Sequence, residues 1–250
     1  MNIGIYQSAS ALSALERWQD AVAQNITSSQ ITGYRKRTVD FSTVSAGEIN
    51  VKPGGGGKDD ATAIDSLFPK VSTGIDFGNG QTEPTRRDLD VAIQGDGFFE
   101  VQMPDGSKAY TRNGQFMMRN DRTIVTGSGG EVLSQSGQPI TLLPNGQPLS
   151  INPDGTLFQG DVSLGKLSVQ KFANNAALVP TAGGYFIPTG GEQPEPVTNP
   201  RLLQGYLESS NVSPLREMVD LVVISRAYEA NQKIITTTDD QMQKTLDALG

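Results

Sequence analysis

At 250 residues, with 36% hydrophobic and 19% charged side chains, the chain can bury a core in one or two domains and is too apolar for a disordered one. A formal charge of −7 opposes binding to phosphate backbones, so no nucleic-acid partner is expected. The absence of both cysteine and histidine excludes disulfides, thiolate and imidazole metal ligands, cysteine nucleophiles and histidine-based triads.

The first residues, Met1 to Ala14, carry no basic flank, and Gln7, Ser8, Ser10 and Ser13 interrupt the apolar ones. That pattern does not read as a cleaved secretory signal, and no apolar run approaches the ~20 residues of a membrane span. Residues 5 to 30 read instead as a helix. Ile5, Ala9, Leu12, Val22 and Ile26 recur at near-helical spacing, with Leu15 and Trp18 beside that stripe. Gly33 is placed to end the element. The basic run Arg35, Lys36 and Arg37 follows, and like Arg86 and Arg87 it is too short for a nucleic-acid platform and reads as solvated surface.

Residues 42 to 80 read as a linker or extended segment. Pro53 and the run Gly54 to Gly57 hold no regular structure, and Asp59 and Asp60 keep the stretch solvated. A phosphate-binding loop is excluded, because its pattern needs Gly where Lys52 stands and Ser or Thr where Asp59 stands.

From Leu89 to Leu207 the signal is β. Leu89, Val91 and Ile93 alternate with Asp90, Ala92 and Gln94, the two-residue period of a half-buried strand. Gly95, Asp96 and Gly97 form a turn before a second strand at Phe98 to Val101, and Pro104 to Gly106 form another before Tyr110 to Arg112. Further turn pairs, such as Asn113-Gly114, Asn145-Gly146 and Asp154-Gly155, imply a compact antiparallel domain.

The last element starts at Ser213, a capping residue, with Pro214 preset in φ and Glu217 supporting the positive helix end. It runs ~35 residues, or ~50 Å. Leu221, Tyr228, Ile235, Met242 and Leu249 fall on a strict seven-residue repeat, while the neighbouring seam of Met218, Ser225, Gln232, Asp239 and Leu246 is apolar only at its ends. Such a helix needs a partner, and the N-terminal helix or another molecule can supply it.

Paired carboxylates at Asp88 and Asp90, or at Asp96 and Glu100, do not make a catalytic case. Asp96 belongs to a tight turn and Asp90 to the polar side of a strand. A calcium loop over this stretch fails at Ala92 and Ile93. No catalytic residue, cofactor or metal site is expected.

Three stretches carry a family resemblance. Leu89 to Phe116 holds Gly95-Asp96-Gly97-Phe98-Phe99 followed by Tyr110-Thr111-Arg112, and Gly205 to Leu246 holds Leu207-Glu208, Ser210-Asn211-Val212, Arg226-Ala227-Tyr228-Glu229 and Asn231. The N-terminal stretch keeps Asn25, Ile26, Gly33, Tyr34 and Arg35 but has Thr27, Ser28, Ile31 and Thr32 between them. Together these resemble the flagellar rod and hook family of axial proteins. The N-terminal box and Asp121-Arg122, where the family commonly has Asp-Gly or Asn-Gly, depart from its pattern.

The resemblance implies an α+β fold: long terminal helices (1–41 and 208–250) packed as an axial inner layer, a linker (42–80), and a mostly antiparallel β domain (81–207). It implies a non-enzymatic rod subunit that polymerises through Ile5, Leu12, Leu15, Val22, Ile26, Leu221, Tyr228, Ile235, Met242 and Leu249 and transmits torque to the hook. Implied partners are itself, other rod and hook subunits, the flagellar type III export apparatus and the surrounding rings, with no membrane insertion. The implied location is the basal body in the periplasmic space, reached without signal cleavage. A secreted or surface β scaffold with helical oligomerisation tails is the competing expectation.

Overall fold

The computed structural model describes residues 3–51 and 62–248. The chain divides into two compact units, one built from residues 1–26, 37–74 and 214–250, the other from 27–36 and 75–213.

The first unit contains helix α1 (Ile3–Ser28), strands β1 (Arg37–Val51) and β2 (Thr62–Ile75), and helix α2 (Pro214–Asp247). The stretch that reads as a linker from its glycines is thus flanked by two long strands that pair with each other; Gly54 to Gly57, Asp59 and Asp60 lie outside the described residues. Among the contacts of the strands with α1, Ser10 Oγ donates to the Pro69 carbonyl at 3.0 Å, and Trp18 stands edge-on to Phe41 with centroids 5.5 Å apart. Leu15, Val22 and Ile224 form a small buried cluster, with Trp18, Ile26, Leu221 and Tyr228 partly buried around it. One apolar side of each helix therefore finds cover within the chain.

In the second unit every strand pairing is antiparallel. The early strands are β3 (Thr82–Pro84), β4 (Val91–Gln94), β5 (Phe98–Gln102) and β6 (Lys108–Thr111). A nine-stranded sheet carries β5 and β6 at its centre, and a three-stranded sheet follows over residues 149–166. The Gly95–Gly97 turn does not join a hairpin: β4 pairs with Arg201–Gln204, while β5 pairs with β6, Glu131–Val132 and Val169–Lys171. Gly97 has φ +125°, and a Cβ there would stand 2.8 Å from Val169, so glycine is required where the chain crosses between sheets.

Phe98 and Phe99 point to opposite sides of β5, as consecutive strand residues must. Phe99 enters the large core with Val101, Phe116 and Ile124, and Phe98 enters a smaller aromatic core with Tyr110, Phe172 and Phe186. The half-buried expectation for β4 is corrected: Val91, Ala92 and Ile93 are all buried, because the strand is covered on both faces. Asp90 is likewise buried, not on a polar face.

Candidate assembly junction

The resembling stretches converge around Glu208, which ends the strand Tyr206–Glu208. Its Oε1 accepts from Arg35 Nη1 at 2.7 Å and from the Gly80 amide at 2.9 Å. Its Oε2 accepts from Arg112 Nη1 at 3.2 Å. Its backbone carbonyl accepts from the Gly33 amide at 2.8 Å. All three ionic side chains are at most 3% exposed, which corrects the solvated-surface expectation for Arg35.

Two buried cations share one carboxylate, so other acceptors must satisfy them. Arg35 also donates to the Gly78 carbonyl and to Asn79 Oδ1. Arg112 donates to the carbonyls of Ile93 and Gly95, and its guanidinium lies 5.4 Å from the Phe98 ring centroid. Loss of hydration pulls the Arg112 pKa down to about 10; Glu208 opposes that shift and Arg35 reinforces it. Arg112 therefore stays protonated at neutral pH.

Gly33 sits against Arg112 with φ +69°, and a Cβ there would lie 2.4 Å from the Arg112 carbonyl carbon. No side chain fits. Asn211 completes the tie: it accepts from the Lys36 amide at 2.7 Å and donates to the carbonyls of Asp76 and Gly78. Thr111 Oγ1 donates to the Gly184 carbonyl at 3.0 Å. Gly33, Tyr34, Gly95, Arg112 and Asn211 are thus gathered in one place, whereas Arg226, Glu229 and Asn231 are far along α2; Asn231 donates to the Ala227 carbonyl of its own helix. Asp96 lines a small cavity of about 170 Å³ with Arg35 and Arg112.

A second tie lies inside the first unit. Asn25 is fully buried; its Nδ2 donates to the Arg37 carbonyl and to Glu217 Oε2 at 3.0 Å, and its Oδ1 accepts from the Arg37 amide. Glu217 is 1% exposed. Its place is an inward hydrogen bond, beyond the helix-end support that its sequence position suggests.

The residues expected at an assembly interface divide. Leu15 and Val22 are buried, Leu12, Ile26, Leu221, Tyr228 and Ile235 are half-buried, and Met242 is exposed. The Ile5 side chain and Leu249 lie outside the described residues. A different apolar set is open. Leu215, Met218, Val219, Val222 and Val223 are 48–76% exposed. At 100° per residue they lie roughly opposite Glu217 and Ile224. Periodicity alone could not separate the two faces, since both are apolar.

Residues 92–159 match a family model described as the flagellar hook protein FlgE/F/G D1 domain. Residues 203–248 match one described as the flagellar basal body rod FlgEFG protein C-terminal. The whole chain is 31% identical to the flagellar basal-body rod protein FlgF of Caulobacter vibrioides, covering 99% of it. The chain belongs to the flagellar basal-body rod protein family. It is also similar to rod proteins named FlgG, at 31% identity in Borreliella burgdorferi (95% of each chain) and 29% in Bacillus subtilis (96% of each). The matched stretches of this rod protein contain Arg112, Glu208 and Asn211, whereas Asn25, Gly33 and Arg35 precede them.

Proposed function

We propose that this chain is a structural, non-enzymatic subunit of the flagellar basal-body rod that assembles through its helical termini, and that the outward face of α2 is a subunit contact. The observation that carries this reading is the exposure of Leu215, Met218, Val219, Val222 and Val223 opposite the side of α2 that packs on the chain's own residues. Burying side chains of this kind contributes roughly 1 kcal/mol or more apiece. A helix apolar on two sides is at home only with partners on both.

On this reading Leu15, Val22, Ile26, Leu221 and Tyr228 hold the helical layer together, and the outward face joins it to neighbouring rod or hook subunits. The β domain forms the outer layer. The buried Arg35–Glu208–Arg112 group holds the segment around residue 35 to the sheet within the β domain. The lack of cysteine suits a chain threaded unfolded through the flagellar type III export apparatus into an oxidising periplasmic space. The surrounding rings are further neighbours.

The same lack of cysteine makes a clean test. Single cysteines placed at Val219 or Val222, treated with a bifunctional thiol reagent in isolated basal bodies, should give multimers of this chain or its conjugates with other axial subunits. Unchanged monomer at both positions would refute the contact.

A further inference from the structure

The β unit holds an open cavity of about 760 Å³ away from the buried arginine cluster. Its lining is mostly apolar, including Leu142 and Leu149 beside Gln147, and also carries Arg86, Arg87 and Arg122 with the single carboxylate of Asp88. Such a local excess of positive charge stands out on a chain of net charge −7.

Backbone geometry adds an independent observation. Among the described residues, the only non-glycine residues with positive φ are Arg86 (+61°) and Arg122 (+68°), and both line this cavity. The left-handed region disfavours any side chain bearing a Cβ, so each arginine is held there at a cost in stability. The fold fixes both backbones: the Arg122 amide donates to the Arg119 carbonyl and its carbonyl accepts from the Leu142 amide, while the Arg86 amide donates to the Gly205 carbonyl. Neither guanidinium has a hydrogen bond or ion pair among the described residues, whereas Arg87 lies 3.6 Å from Asp90. Two uncommitted, planar donors thus flank an apolar trough, the arrangement that receives a carboxylate beside an aliphatic side chain.

We propose that this cavity is a docking site for an acidic peptide segment of a protein partner, with a carboxylate held between Arg86 and Arg122 and a neighbouring aliphatic side chain on Leu142 and Leu149. Charge complementarity selects that occupant, and Asp88 limits how many carboxylates the rim accepts.

The full-length chain would be titrated calorimetrically with acetyl-Asp-Leu-Glu-Leu-amide, with acetyl-Lys-Leu-Lys-Leu-amide and with oligogalacturonate. The expected result is binding of the acidic peptide at least tenfold tighter than either, weakening as salt rises. Arg86→Asn and Arg122→Gly suit the backbone at their positions. Each should weaken the acidic peptide at least fivefold while leaving the thermal midpoint unchanged or higher. Equal binding of the basic peptide, tighter binding of the acidic sugar chain, no binding at millimolar peptide, or unaltered binding by both variants would each overturn the proposal.

Discussion

Arg35 and Glu208 are 173 residues apart in sequence, yet Arg35 Nη1 meets Glu208 Oε1 at 2.7 Å with both side chains almost fully buried. Glu208 is the only carboxylate hydrogen-bonded to Arg35 and Arg112 among the described residues. Glu208→Ala leaves two buried guanidiniums without their hydrogen-bonded carboxylate, and urea denaturation of the purified chain should show a loss of about 3–5 kcal/mol. A loss below ~1 kcal/mol would mean that the site relaxes to admit water.

Gly33 delivers its amide to the same glutamate while lying flat on Arg112. Gly33→Ala combines a disfavoured φ with a clash against backbone, so the cost should exceed ~1 kcal/mol. Amide hydrogen exchange should show faster exchange around residues 33–36 than in the native chain. Protection equal to the native level would show that the close approach is dispensable.

Alkaline pH separates two buried groups. Tyr110 is raised to about 12, chiefly by desolvation and then by Glu100, so the unfolded chain loses this proton first and stability falls between about 10 and 12. Arg112 is lowered from 12.5 to about 10, so the unfolded chain holds this proton longer and stability rises over that range. Comparison with Tyr110→Phe isolates the first effect. The native chain should lose stability relative to this variant as pH climbs from 10 to 12. A pH-independent difference would contradict the assignment.

Asn25 and Glu217 should be energetically coupled. In a double-mutant cycle with Asn25→Ala and Glu217→Ala, the coupling should reach about 1 kcal/mol or more, because the two side chains share a buried hydrogen bond to a charged group. Additive losses would show that each residue is held by its other contacts alone.

Much of this architecture is legible from the residues. Helical spacing marks both helices, and the density of Gly-Asp and Asn-Gly turns marks the β domain. The long-range choices are not legible. Val91 to Ile93 reads as half-buried because alternation with Asp90 and Gln94 mimics a solvated face; the partner strand at Arg201–Gln204 that covers it lies over a hundred residues on. Glu217 falls where helix ends favour acids, and nothing local reveals that Asn25 waits 192 residues earlier. Leu221 and Tyr228 of the heptad mark the side of α2 turned toward Leu15 and Val22, while its open side begins at Leu215. Glu208 offers no sequence signal beyond its place beside Leu207, since burial of an acid depends on which cations the fold brings to it.

The outward face of α2 carries the proposed subunit contact. Val222→Asp, introduced into the chromosomal gene, should leave the purified chain's thermal midpoint within about 2 °C of native, because the site is already solvated. The same variant should abolish swimming and leave basal bodies without a complete rod in electron micrographs. Normal motility with intact rods from a stably expressed Val222→Asp chain would contradict the claim that this face joins subunits.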